Sequence, residues 1–210
     1  VICCADIYQS APIFSPDGSL ILTDFGALYN VMTGEELGRY ALSSLYKAVF
    51  DSNSPRLITI GDPIREFAEE ADVSCPNNTA VWNIPSETVV WDISSNTQLF
   101  SIPCTSSFDV TSDFGLLATA LNTENGSSVS IWNIEDGTLL LTLPDTSEPN
   151  FNLDGTRIAV RHSSQSLQIW NTITGELIGT YQDSTRGFFT PDGETFATTY
   201  SNESNIGTIF

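Results

Sequence analysis

Trp91, Trp132, Trp170 and Phe210 lie 41, 38 and 40 residues apart. That spacing constrains the fold more than any other feature of the chain. Self-similarity at this period marks a repeat architecture, in which each repeat is one supersecondary unit that buries its apolar face only against its neighbours. The best-formed repeat is residues 151–181, FNLDGTRIAVRHSSQSLQIWNTITGELIGTY. Residues 151–153 are a short apolar start, and Asp154-Gly155 is a hairpin signal. Residues 158–160 form an apolar second strand, and Leu167, Ile169 and Trp170 a third after a polar spacer. Thr174-Gly175-Glu176 then turns the chain into 177–181. Four short strands per repeat, joined by tight turns, predict a β-propeller rather than a sandwich.

The other repeats are imperfect copies. Residues 1–10 hold one apolar run, 1–5. A first blade over 11–47 places Ile13-Phe14 before Ser15-Pro16-Asp17-Gly18, with strands at 20–23, 27–31 and 37–40 and a Thr33-Gly34-Glu35 turn. A second blade over 48–103 has strands at 48–50, 57–60, 88–93 and 98–102. It is interrupted by an insertion, 61–87, whose centre PIREFAEEAD (63–72) predicts a short helix with Pro near its start. A third blade over 104–144 has strands at 108–110, 116–120, 128–134 and 139–143, a degenerate Asp113-Phe114-Gly115 turn and an Asp136-Gly137 turn. The fourth, 145–182, contains the template. The fifth, 183–210, has Phe188-Phe189, Pro191-Asp192-Gly193, and strands at 195–199 and 207–210, and stops on its third strand.

Particular residues carry a resemblance. Phe14-Ser15-Pro16-Asp17-Gly18 and Phe189-Thr190-Pro191-Asp192-Gly193 resemble the strand-and-turn signature of the WD-repeat family. Trp91-Asp92 is its dipeptide, and Trp132-Asn133 and Trp170-Asn171 are near matches. The resemblance covers residues 11–210 apart from the insertion, and implies four-stranded antiparallel blades. One departure stands out. The family often carries a Gly-His dipeptide and a buried network through that histidine, whereas the single histidine here, His162, follows Arg161. The blades are therefore expected to rely on apolar packing.

A propeller must protect the strand edges of its first and last blades. The fifth repeat lacks an outermost strand, and Val1, Ile2, Cys3, Cys4 and Ala5 form an unassigned one. The simplest expectation is a single domain, 1–210, of five blades, with the N-terminal segment supplying the outer strand of the last. Two alternatives stay open. WD-repeat relatives more often have seven blades, so the chain can be a piece of a larger ring. Residues 1–5 can also pair with a neighbouring molecule, giving head-to-tail assembly by strand addition.

Twenty-six acidic residues against one Lys and six Arg give a net charge of −19. Such a surface repels phosphate backbones and speaks against nucleic acid and anionic lipid. No apolar run approaches the length that crosses a membrane. A chain of 210 residues buries roughly 70% of its unfolded surface, enough for a core without a metal. It begins at Val1 without a methionine, which reads as a processed product or a piece of a longer chain. Four cysteines, three Asn-x-Ser/Thr sequons at Asn77, Asn125 and Asn202, and scarce Lys together point to an exported protein, extracellular or at the cell surface, with N-linked glycans on those asparagines.

Strands of a blade alternate in direction, so the first-to-second and third-to-fourth strand turns share one face. The second-to-third loops (61–87, 122–127, 163–166 and 201–205) share the other, and all three sequons map there. Cys104, in the link after the second blade, lands on the same side as Cys75, and a Cys75–Cys104 disulfide is expected. Cys3 and Cys4, adjacent in a strand, point to opposite faces. Either one is buried while the other pairs between chains, or both are buried free thiols.

No cofactor or catalytic residue is expected. The chain has no Gly-x-Ser-x-Gly elbow, no Cys-x-x-Cys, no His-Glu-x-x-His, no glycine-rich phosphate loop and no EF-hand spacing. The competing reading is a carbohydrate-active propeller, glycosidase or lectin, because five-bladed propellers include glycosidases that use carboxylates at the central channel. Its candidates, Asp17, Asp154 and Asp192, fall in hairpin turns, where Asp has a backbone role. Glu66, Glu69, Glu70 and Asp72 read as a solvated helix face rather than a calcium site, and Trp82 as a packing anchor rather than a recognition aromatic. The expectation is a non-catalytic, exported module. Its partners are other proteins or copies of itself, with filament assembly through terminal strand exchange as one form.

Overall fold

A computed structural model of the chain describes residues 12–40, 42–63, 86–123, 126–182, 184–190, 195–200 and 204–208. These residues form nineteen strands in five antiparallel sheets and no helix. The chain divides into two compact units. The first holds two sheets: β1 (Ile13–Phe14), β2 (Leu20–Leu22), β3 (Ala27–Asn30) and β4 (Glu36–Arg39), then β5 (Leu42–Phe50), β6 (Arg56–Pro63), β7 (Glu87–Asp92) and β8 (Thr97–Pro103). The second unit holds three. Its first two sheets are β9 (Thr105–Val110), β10 (Leu116–Thr123), β11 (Gly126–Asn133) and β12 (Leu139–Pro144), then β13 (Thr146–Phe151), β14 (Arg157–His162), β15 (Ser166–Asn171) and β16 (Leu177–Tyr181). The last has three described strands, β17 (Ser184–Phe189), β18 (Thr195–Tyr200) and β19 (Ser204–Thr208). In every sheet the strands lie side by side in chain order. These are the consecutive antiparallel units that the forty-residue period implies, and they are consistent with propeller-like blades.

The burial pattern shows why these are not layers of a two-sheet sandwich. On β14, Ile158, Ala159 and Val160 are all buried although consecutive residues of a strand face opposite ways. Ile158 and Val160 pack with Ala118, Ala120, Val129 and Ile131 of the preceding sheet, whereas Ala159 joins Leu167, Ile169 and Phe196 toward the following one. The middle sheet of the second unit is therefore covered on both faces, and its second strand carries a continuous apolar run, Ile158 to Val160. In the first unit, Leu22 and Leu28 pack against Leu45, Phe50 and Leu57, joining its two sheets. Each fully buried Leu or Ile contributes about 1.5–3 kcal/mol.

Hydrogen bonds tie the sheets of the second unit together. Asp109 Oδ2 accepts from the Phe151 amide at 2.8 Å across two sheets. Thr146, wholly buried, donates to Leu143 O at 2.7 Å and accepts from Val129 N at 3.1 Å. The expected reliance on apolar packing alone also needs correcting. Trp91 Nε1 donates to Thr59 Oγ1, and Trp132 Nε1 to Thr119 Oγ1, both at 2.9 Å. Trp91 faces Leu57 across the ladder and Trp132 faces Leu117, so each Thr sits two residues further along on the same face. In β14 the equivalent position is Val160, and Trp170 Nε1 turns instead to Gln168 Oε1 at 3.1 Å. The indole donor is satisfied each time by whichever acceptor its sheet supplies.

Several expected boundaries move. β5 begins at Leu42, inside the stretch assigned to the first blade. Residues 61–63 continue β6 and Glu87 begins β7, so the insertion is shorter than 61–87. Pro63 lies in the strand rather than the helix, and 64–72 are outside the described residues. Residues 122, 123, 126 and 127, expected in a loop, extend the β10–β11 ladder, with Thr123 paired to Gly126. Phe210, expected as the aromatic of the last third strand, is also outside the described residues. Gly207 faces Phe196 at the register where Trp170 faces Ile158. The aromatic has moved to the neighbouring strand: Phe196, fully buried, packs against Phe189 and Tyr181 with ring centroids at 5.1 and 5.8 Å. Its ring lies over Gly187, where any Cβ would overlap it.

Candidate functional site

Turns that pair local side chains with their own backbone build one end of four of the sheets. After the third strand, Asn30, Asp92 and Asn171 fold their Oδ1 back onto the amides two and three residues ahead, and Asn133 onto the amide two ahead. Asn30 Oδ1 accepts from Met32 N and Thr33 N at 2.9 and 3.0 Å, and Asp92 Oδ1 from Ser94 N and Ser95 N at 2.8 and 3.2 Å. Asn133 Oδ1 takes Glu135 N at 2.8 Å, and Asn171 Oδ1 takes Ile173 N and Thr174 N, both at 2.9 Å. The backbone then enters the left-handed region at Gly34, Asn96, Gly137 and Gly175. Only an acceptor oxygen is used, which is why Asp and Asn interchange after the aromatic residue.

The first-to-second strand turns follow a second recipe. The oxygen of Ser15, Thr111 or Asn152 accepts from the amide five residues on: Leu20 N at 2.9 Å, Leu116 N at 3.0 Å and Arg157 N at 2.9 Å. An Asp two positions later receives that first residue's proton and the amide beyond. Asp17 Oδ1 accepts from Ser15 Oγ at 2.6 Å and Ser19 N at 3.1 Å. Asp154 Oδ1 accepts from Asn152 Nδ2 at 2.7 Å and Thr156 N at 2.9 Å. These bonds favour the charged form. The Ser15 hydroxyl, with the Ser19 amide and hydroxyl, holds Asp17 down to about 2, and Thr156 lowers Asp154 in the same way. The turns thus supply carboxylates that stay ionised, not the raised pKa of a general acid. Phe114, with φ 58°, holds the left-handed place that Gly18 and Gly155 take elsewhere, and its ring is buried.

In the first unit two such turns flank an open cleft of about 350 Å³. Its floor is Leu20, Phe50 and Ile93, and its rim carries Asp17, Asp51 and Asn53. Asp51 is anchored by its own turn: its Oδ1 accepts from Asn53 N at 2.9 Å and its Oδ2 from Ser54 Oγ. Among the described residues, no Lys or Arg lines the cleft. The corresponding pair of turns in the second unit is closed. There Ser112 Oγ donates to Leu153 O at 2.8 Å, a Cβ on Gly155 would run into the Thr111 methyl, and Thr172 is buried with its Oγ1 donating to Gly155 O at 2.6 Å. The strand registers place Pro16 where the second unit has Ser112, Ser54 where it has Gly155, and Ile93 where it has Thr172. Proline has no donor for the bridge, serine adds the Cβ that glycine omits, and the isoleucine is left half-buried. Sequence reasoning missed this cleft. Its signal, Pro for Ser and Ser for Gly at matched turn positions, emerges only once the turns are aligned by register.

The remaining candidates distribute as follows. Cys104 is disulfide-bonded and has φ 63°. Cys75, Cys3 and Cys4, one of which must be its partner, lie outside the described residues, as do the rest of 1–5, Asn77, Asn125, Asn202, Asp192, Trp82 and Glu66, Glu69, Glu70 and Asp72. His162 bonds within its own loop, its Nδ1 lying 2.8 Å from Ser164 Oγ and accepting from Ser164 N at 3.2 Å. Among the described residues, no group of three or more His, Cys, Asp and Glu is placed to hold a metal ion, and no helix is long and apolar enough to cross a membrane. No protein-family model matches the chain, and no curated protein matches it as a relative.

Proposed function

We propose that this chain is a non-catalytic, exported protein of WD-repeat type that serves as a structural or protein-interaction module and meets its partners through the turn face. The observation that carries this reading is the repeated turn chemistry. Four sheets spend an Asn or Asp oxygen on the same backbone turn, directly after Trp in three of them and after Tyr29 in the first. The carboxylates Asp17 and Asp154 likewise serve their own turns rather than converging on a reaction centre.

In this reading the five sheets are five blades of one ring, and residues 1–5 add the fourth strand to the sheet that has three described strands. The disulfide of Cys104 is made with Cys75 and pins the 64–85 segment. Glycans on Asn77, Asn125 and Asn202 keep the opposite face clear of protein, which leaves the turn face and rim for contacts. The native mass of secreted material, measured with and without reductant, tests the module. A monomer carrying glycan mass and one Cys75–Cys104 peptide in a non-reducing map is the expected result. A reducible ladder of multimers would replace it with the self-assembling form, and hydrolysis of an oligosaccharide would overturn the non-catalytic reading.

A further inference from the structure

The cleft of the first unit is a recess whose matched position in the second unit is closed by a direct bond between turns, so its openness is a property of three substitutions rather than of the repeat. We infer that it receives a single basic side chain, an arginine foremost, presented by a partner protein; this rests on the interaction-module reading and names what that module recognises. The floor of Leu20, Phe50 and Ile93 offers apolar contact to a side chain's aliphatic stem, while Asp17 and Asp51 at the rim meet its charged end. Charge complementarity selects the occupant. Among the described residues no cation lines the cleft, and the chain carries −19, which draws cationic partners and repels anionic ones. The turn hydrogen bonds hold both carboxylates in place before binding, so little side-chain freedom is lost when a partner docks. Arginine is favoured over lysine because its planar fork reaches two carboxylate oxygens at once and sheds water more readily.

The fold itself supplies conservative variants. Asn152 stands where Asp51 does, and Asn53 where Asp17 does, so Asp51→Asn and Asp17→Asn each place in a turn a residue that a sister turn already uses. The probe is N-acetyl-arginine amide, titrated into the full chain while backbone amide shifts are followed by NMR, with the neutral isostere N-acetyl-citrulline amide beside it. The arginine probe is expected to shift the amides of Ser19, Asn53 and Ile93 and to bind at least about tenfold more tightly than the citrulline probe. Each Asp→Asn change should weaken it about fivefold, as one partly exposed ion pair does. Pro16→Ser combined with Ser54→Gly, which restores the closed geometry of the second unit, should abolish the shifts at these amides. Equal binding of the two probes, an unchanged affinity in the doubly substituted Asp17→Asn/Asp51→Asn chain, or shifts spread evenly onto Gly115 and Thr156 in the second unit would each overturn the inference. Because the probe is one capped amino acid, such a failure removes the cleft's specificity alone, and the native-mass test of the module stands separately.

Discussion

Replacing Thr119 by Val keeps the shape of the side chain and removes the acceptor for Trp132 Nε1, so it isolates one hydrogen bond in the sheet interior. Thr119 is wholly buried and the bond is 2.9 Å long, and the described ladder offers Trp132 no spare acceptor of the kind Gln168 gives Trp170, since the matching residue is Ser130. A buried donor left without a partner costs about 1–3 kcal/mol. Exchanging a hydroxyl for a methyl in an apolar site returns up to about 0.8 kcal/mol. The net loss is then about 1 kcal/mol, which in a chain of this size lowers Tm by about 2–4 °C. Urea or thermal unfolding followed by tryptophan fluorescence measures it. The reciprocal change, Val160→Thr, puts a hydroxyl into a fully buried apolar site whose indole neighbour already donates to Gln168, and should cost about 1–3 kcal/mol. If Thr119→Val proves neutral while Val160→Thr stabilises, the indole bonds do not hold these sheets as argued.

Three further outcomes follow from local geometry. Gly187→Ala drives a methyl into the buried Phe196 ring and should cost about 1–3 kcal/mol, whereas the same change in a Phe196→Leu background should cost much less; equal costs in thermal melts would refute the stacking. Asp17, depressed from 3.8 to about 2, stabilises the fold at pH values above its unfolded pKa, and that contribution drains away as pH falls through about 2; a carboxyl-carbon NMR titration with a midpoint near 3.8 would contradict it. Tyr40 buries a hydroxyl that has no hydrogen-bond partner among the described residues, and burial pushes its pKa up to about 12, so Tyr40→Phe, which keeps the ring 4.8 Å from Trp91, should raise stability by about 1 kcal/mol in chemical denaturation. A loss of that size would show that the hydroxyl is bonded after all.

The repeat was legible because its strongest signals are local. Trp-Asp and Trp-Asn mark a strand end and the turn beyond it within a few residues, and Ser-Pro-Asp-Gly or Asn-Leu-Asp-Gly does the same at the other hairpin. What was illegible depends on packing between repeats. Phe210 fitted the forty-residue spacing, yet Gly207 holds the ladder position, because Phe196 fills the aromatic volume from the adjacent strand and Gly187 makes room for it. The start of β5 at Leu42 was hidden by Ser43, Ser44 and Lys47, which break the apolar pattern at an end where the ladder with β6 also shifts register. The hydrogen-bond partner of the Trp residues was misjudged for a related reason. Absence of the histidine network suggested purely apolar interiors, but threonines two positions from the cross-strand neighbour supply acceptors that no single-strand motif displays. The cleft needed one step more, since Pro16 and Ser54 mean little until each turn is laid over its counterpart.

Amide hydrogen exchange on β19 most directly tests whether these sheets make one closed ring. In the full chain, β19 amides that point away from β18 should exchange slowly and independently of protein concentration, and deleting residues 1–5 should make them exchange fast while β9–β16 remain protected. Fast exchange at those amides in both chains, or protection that survives the deletion, would contradict closure by the N-terminal segment.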